Sequence, residues 1–253
     1  GWRYLWHKKL APFPDAFTFP CDRVGRVCRE EQWKHSISRP CYSIPHIATS
    51  ENPPSISFEK NSKCEVLHTG SFYMARKPDV FLKAWAEFVS VGDRSFRFHF
   101  THVGTPCDRI AAAVKEHHLE NTVHQTGVVS FEEACELQRN ADILLMVENQ
   151  DSRESIYLPS KFIDYLWAGK PVMALTPNEG TISDLLGPDY PLRSVPWDPE
   201  SVKNMLELLD SPSDLSAVGS ILTDCQDQFR PANVCTLLRQ ALVEVMGRTN
   251  AAS

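Results

Sequence analysis

Between Cys64 and Leu209 the chain alternates short apolar runs with segments whose apolar residues recur at helical spacing. That alternation specifies successive βα units, which pack as a parallel sheet covered by helices. The first run is Cys64–Thr69. In DVFLKAWAEFVSV the residues Phe81, Ala84, Trp85, Phe88 and Val89 return on one helix face. SFRFHFTHV reads as a strand with unlike faces, Phe96, Phe98 and Phe100 alternating with Arg97, His99 and Thr101; His99 and His102 are expected to be packed or solvated strand residues. PCDRIAAAVKEHHL reads as a helix and NTVHQTG as a short strand. SFEEACELQRNA is a helix opened by a capping box, Ser130 preceding Glu133 by three residues.

ADILLMVE is apolar without interruption, the character of a central strand buried on both faces. Its carboxyl end delivers Glu148, Asn149 and Gln150 to the region where α/β sheets bind ligands. A helix over about 160–168 follows, then the strand KPVMALT, a helix in NEGTISDLL and a strand in YPLRSVP. Asp198 and Pro199 cap a further helix through Leu209, and helical stretches near 214–228 and 231–247 complete the chain. The fold class expected is α/β: a doubly wound, Rossmann-like parallel sheet of about six strands.

Residues 51–63, ENPPSISFEKNSK, join paired prolines to polar residues as linkers do. They separate a less regular region, 1–50, from a domain over 64–210, and the last helices occupy 211–253. The chain starts at Gly1, and an upstream region is expected. A net charge of −6 provides no electrostatic footprint for nucleic acid, so no nucleic-acid partner is expected. No apolar run approaches the roughly 20 residues that cross a bilayer, and GWRYLWHKKL lacks the apolar stretch of a secretory signal. A cytoplasmic location is expected, with at most peripheral association at the inner face of the membrane. The eight cysteines include no C-x-x-C pair and are expected to be reduced. Cys21, Cys28 and Cys41 with His35 or His46 fit no zinc spacing, so no metal is expected.

Chemistry concentrates in YLPSKFIDYLWAGKPVMAL, residues 157–175. Ser160 stands where the helix begins, and the free amides of a helix start attract phosphate. Lys161 adds a full positive charge, and Asp164, one turn on, offers a carboxylate suited to a ribose diol. Gly169 ends the helix with a residue able to take φ > 0, and Lys170-Pro171-Val172 returns the chain to a strand. Gly180 and Thr181 present a second flexible turn and helix start toward the same crevice.

Taken together, these motifs resemble the C-terminal, nucleotide-sugar-binding domain of GT-B glycosyltransferases, above all the retaining family-4 type of polysaccharide and glycoconjugate biosynthesis. The family pattern is Glu, seven residues, Glu, then Ala-Met-Ala-x-Gly-x-Pro-Val. Here Asp164-Tyr165-Leu166-Trp167-Ala168-Gly169-Lys170-Pro171-Val172 carries it, with Asp164 at the second, ribose-holding acidic place and Ile156 at the first. Leu158-Pro159-Ser160-Lys161 resembles the Pro-Ser-Lys subgroup. The family's glycine-rich first turn corresponds to Gly70-Ser71-Phe72-Tyr73-Met74-Ala75-Arg76-Lys77-Pro78, which leaves Arg76 as the diphosphate clamp. His124-Gln125-Thr126-Gly127-Val128 corresponds to the turn whose backbone lies along the base.

The resemblance covers residues 64–210 and implies Arg76 and Lys161 as catalytic residues, with Gly70, Ser71, Gly127, Val128, Ser160, Asp164, Gly180 and Thr181 binding substrate. It implies no cofactor, a nucleotide-diphosphate sugar as donor, and a glycan or lipid-linked acceptor. Residues 1–50 become the tail of an acceptor-type domain, missing or separate, whose last strand lies near CYSIPHI. Two other readings are a catalytically silent nucleotide-sugar-binding module and a nucleotide-sugar 2-epimerase.

Overall fold

The computed structural model describes residues 14–32, 39–57, 62–210 and 216–251. The chain divides into two compact units, the larger comprising Pro53–Ser155 and Lys161–Gln226. Its centre is a six-stranded parallel sheet built from β3 (Cys64–Thr69), β4 (Phe98–Val103), β5 (Val123–Gly127), β6 (Ile143–Val147), β8 (Val172–Leu175) and β10 (Arg193–Ser194). The order across the sheet is β10-β8-β6-β3-β4-β5. The chain therefore runs outward from β3 through β4 to β5, returns to lay β6 on the other flank of β3, and continues outward. That reversal creates a switch point between β3 and β6, where open α/β sheets leave a crevice at the strands' carboxyl ends.

Every residue of β6 is buried, as its unbroken apolar sequence requires. Helix α2 (Asp79–Val89) buries Phe81, Leu82, Ala84, Trp85, Phe88 and Val89. Phe81 meets Phe100 edge-on at 4.9 Å and Phe88 meets Phe98 in the same way at 4.9 Å, so one helix face interlocks with the inward side chains of β4. Helix α3 is a single turn, Arg94–Arg97; α4 covers Asp108–His117 and α5 covers Phe131–Asn140. The capping box at α5 forms as expected, Ser130 Oγ accepting from Glu133 N at 3.1 Å. Helix α6 (Ser160–Ala168) leads into β8, and the two-residue strands β7 (Glu154–Ser155) and β9 (Glu179–Gly180) pair with each other in parallel as a separate sheet. Helices α7 (Thr181–Leu186) and α8 (Pro199–Glu207) follow, the latter opened by Asp198 Oδ1 accepting from Glu200 N at 3.1 Å.

One expectation fails. SFRFHFTHV is not a strand throughout: residues 94–97 form the α3 turn, Phe96 is 77% exposed, and β4 starts only at Phe98. The cause is remote in sequence. Arg94 is bound by Glu207 and by Asp210 at 2.6 Å, and Arg97 reaches Asp210 at 3.0 Å, so these ion pairs hold the backbone in a turn that alternation alone would extend.

The smaller unit holds Gly1–Asn52, Ile156–Ser160 and Asp227–Ser253. In it β1 (Phe17–Phe19) pairs in parallel with β2 (Cys41–Ser43), with α1 (Asp22–Val27) between them in sequence. CYSIPHI thus does contain a strand, while His35 and residues 1–13 lie outside the described residues. Helices α9 (Ser216–Phe229) and α10 (Pro231–Ala251) end the chain, and Arg230 donates to the Glu51 carbonyl at 2.8 Å. Among the described residues no helix is long and apolar enough to cross a membrane.

Candidate functional site

The site grows from the carboxyl ends of β3, β4 and β5. Gly70 leaves β3 at φ 98°, a conformation that a Cβ would strain, and its amide donates to the Val103 carbonyl at 2.7 Å. Gly104, at the end of β4, passes so near that a Cβ on it would lie 2.3 Å from the Gly70 carbonyl oxygen. Its amide donates to Gly127 O at 2.9 Å. Three glycines thus form a ledge of bare backbone that runs from the switch-point edge of β3 across the ends of β4 and β5, and Ser71 Oγ ties it to Thr105 Oγ1 at 2.9 Å.

Lys161, in the first turn of α6, is half-buried and stands over this ledge: a Cβ on Gly70 would be 3.0 Å from its Nζ. Nζ lies 3.3 Å from His68 Nε2. Burial, helped by the charge of Arg76 and opposed by Asp164, lowers the Lys161 pKa to about 8. Arg76 Nη1 donates to the Tyr73 hydroxyl, and its guanidinium lies 5.0 Å from the centre of that ring. Among the described residues neither cation forms an ion pair with a carboxylate. Two positive groups close enough to perturb each other, one of them over glycine backbone, make an arrangement suited to an anion with several oxygens. Asp164, one turn along α6, is half-buried; burial raises its carboxyl pKa and the Lys161 charge opposes that rise.

Buried polar contacts fix the floor. Tyr165 Oη accepts from Thr69 N at 3.0 Å and donates to Leu145 O at 3.3 Å, and Gln138 Nε2 donates to Thr69 Oγ1 at 3.0 Å. This joins α6, β3, β6 and α5 immediately below the ledge. Glu148, just past β6, accepts from Ser155 Oγ at 2.7 Å and from the Thr176 hydroxyl. Burial raises its pKa, while those hydroxyls and the Arg76 charge resist.

The sequence-derived residues divide accordingly. Gly70, Ser71, Gly127 and Lys161 meet at the ledge, and Arg76 and Asp164 lie near enough to Lys161 for their charges to shift its pKa. Gly180 pairs with Ser155 in the β7–β9 ladder, where a Cβ would come 2.9 Å from Ser155 O, and Ser155 bonds Glu148. Thr181 is buried at the start of the six-residue α7. Ser160 is exposed at the first position of α6, and Val128 is 75% exposed beyond β5. Sequence reasoning did not find His68 and Phe72, and it took His102 for an ordinary strand residue. His68 and His102 are both buried, their Nδ1 atoms 3.1 Å apart, and Phe72 stacks on His68 with ring centres 4.1 Å apart. A histidine inside CEVLHT carries no local signal of such a pairing.

No protein-family model matches the chain, and no curated protein sequence matches it. Solved structures do. Sucrose-phosphate synthase from Thermosynechococcus elongatus superposes with a TM-score of 0.69 at 16% identity, over 96% of this chain and 60% of that one. The fold is that of GT-B glycosyltransferases. The pneumococcal O-GlcNAc transferase GtfA, solved with UDP and GlcNAc, gives a TM-score of 0.70 at 15% identity over 96% of this chain and 47% of its own. S. aureus TarM, solved as a point mutant with fondaparinux, α-GlcNAc-glycerol and UDP, gives 0.64 at 14% identity over 91% and 43%. The chain thus spans about half the length of these GT-B proteins.

Proposed function

We propose that this chain is the donor-binding part of a glycosyltransferase of hexosyltransferase type. It would transfer a sugar from a nucleotide-diphosphate sugar to a glycan or lipid-linked acceptor, with retention of configuration and without a cofactor. The observation that carries the reading is Lys161, standing over the glycine ledge beside the sheet's switch point and near enough to Arg76 for the two charges to perturb each other, neither cation in a carboxylate ion pair among the described residues. In such a reaction the leaving group is a nucleoside diphosphate whose negative charge grows as the glycosidic bond breaks. Fixed cations and backbone amides aimed at that charge lower the barrier because they need no reorganisation during the step. Arg76 and Lys161 are assigned this role, Asp164 the ribose, and the backbone at Gly127 the base. Retention and the family-4, Pro-Ser-Lys assignment rest on the motif resemblance, and the acceptor is assigned to a domain beyond this chain.

A second reading, a catalytically silent nucleotide-sugar-binding module, is favoured by the residues at two places of the motif: Ile156 at the first acidic place, and Ser71 where the glycine-rich turn would carry a guanidinium. The experiment begins with a thermal-shift panel of UDP, GDP, ADP and dTDP with their sugar conjugates, since a ligand that binds only the folded state raises the midpoint. Lys161→Ala and Arg76→Ala should each weaken the best nucleoside diphosphate on the order of tenfold or more while leaving its nucleoside within about twofold. Equal loss for both ligands refutes the assignment. Donor binding by a protein that also carries the acceptor domain, with neither transfer nor donor hydrolysis by mass spectrometry, selects the silent module.

A further inference from the structure

Behind Lys161 runs a chain of hydrogen bonds whose direction is fixed by its two ends. The Thr105 carbonyl oxygen can only accept, and His102 Nε2 lies 3.1 Å from it, so this nitrogen carries the hydrogen. A neutral His102 is then bare at Nδ1, which lies 3.1 Å from His68 Nδ1. His68 must therefore carry its hydrogen at Nδ1, which leaves Nε2 bare to accept from the Lys161 ammonium at 3.3 Å. Each ring nitrogen is used once, and with both rings neutral any other distribution sets two donors or two acceptors face to face. Phe72 closes the arrangement, its ring 4.1 Å from that of His68 and 5.1 Å from that of His102.

We propose that His68 and His102 are positioning residues: a neutral relay from the Thr105 carbonyl through both imidazoles that anchors the Lys161 ammonium over Gly70, where it meets the diphosphate. The role of Lys161 in this statement rests on the functional reading above; the relay itself does not. The relay gives a flexible lysine one orientation, and it makes the loop after β4 part of the phosphate site although that loop supplies no cation. The charged groups facing His68 are Lys161, His102 and Arg76, and Lys161 also faces His102. Burial is the larger cause in each ring and keeps both pKa values below the ordinary histidine value; Lys161, His102 and Arg76 add to it at His68, while at His102 Lys161 adds to it and the bond to the Thr105 carbonyl opposes it.

The test uses the 15N-labelled full chain. Long-range 1H–15N spectra at pH 7.5 should show protonated Nδ1 and bare Nε2 for His68, with the reverse for His102. An Nε2–H tautomer at His68, or an imidazolium at either position, overturns the relay whether or not the protein binds any nucleotide. Lys161→Met should then displace the His68 Nε2 resonance; an unmoved resonance overturns the contact. For positioning, titrations with UDP and with inorganic pyrophosphate compare two variants. His102→Asn keeps an acceptor near the place of Nδ1, whereas His102→Leu removes it. The leucine variant should lose about fivefold to tenfold in affinity, the worth of one hydrogen bond between neutral groups, with uridine binding unchanged. The asparagine variant should stay within about twofold. Equal loss in both variants, or none in the leucine variant, overturns the positioning role. If the unaltered protein binds neither ligand, the functional reading fails and the spectra still decide the relay. If the leucine variant does not fold, the histidine and Lys161→Met spectra remain able to refute it.

Discussion

Replacing Lys161 by methionine should make the protein slightly more stable near neutrality while impairing its proposed task. An ordinary lysine holds its proton to pH 10.5, but Lys161 holds it only to about 8, so the folded state binds the proton more weakly than the unfolded chain. The depressed pKa marks a cation that folding disfavours. Its cost is therefore fully present below pH 8 and is relieved as pH rises toward 10.5. At about 1.4 kcal/mol per tenfold change, the cost near pH 7 is roughly 3 kcal/mol, of which about 2 kcal/mol should disappear by pH 9.5. Methionine retains most of the apolar stem but leaves His68 Nε2 without a donor, which costs about 1–3 kcal/mol at any pH. The net gain at pH 7 is thus small, and the informative quantity is its pH dependence. Urea unfolding of both proteins at pH 7 and pH 9.5 should show the difference moving by about 2 kcal/mol in favour of the lysine protein. A difference that stays constant across that range refutes the claim that Lys161 is held as a costly, partly desolvated cation.

Three further outcomes test the architecture of the site. Gly104→Ala places a Cβ against the Gly70 carbonyl, which is backbone and cannot swing aside; urea unfolding should show a loss of about 2–3 kcal/mol, and calorimetry should show nucleoside diphosphate binding abolished. Tyr165→Phe leaves the Thr69 amide and the Leu145 carbonyl short of partners in a buried place, so denaturation should report a loss of about 2 kcal/mol. Asp164→Asn should weaken nucleoside and nucleoside diphosphate alike, since a ribose contact is common to both; titration with unchanged affinities would remove Asp164 from the site.

Much of the sheet was legible because its strands and helices carry local periodicity. The helix face of Phe81, Trp85 and Phe88, the capping box at Ser130 and the unbroken apolar run of β6 each follow from residues within one element. The false extension of β4 to residue 95 has the opposite origin, for Arg94 and Arg97 are held by Asp210, more than a hundred residues away. The site divides along the same line. Gly70 and Lys161 could be singled out locally, one from a turn chemistry and the other from a helix start, but their approach depends on the strand order. The His68–His102 pair bridges 34 positions and the His68–Lys161 contact 93, and the register of β3 against β4, which sets His68 beside His102, is not written in either strand alone.

The stretch that reads as a linker has a consequence for anyone trimming this protein. Pro54 lies across the carboxyl end of α6, where a Cβ on Gly169 would come 2.8 Å from its ring, and Ser57 N donates to Gly169 O at 3.3 Å. Gln226, buried in α9, donates to both Pro54 O and Leu166 O. A fragment cut to begin at Lys63 would look like a clean excision by sequence, yet it would strip a clasp from the far end of the helix that bears Lys161. Such a fragment should exchange the amides around Leu166 faster than the longer protein does, and a start upstream of Pro53 is the safer boundary for any binding study.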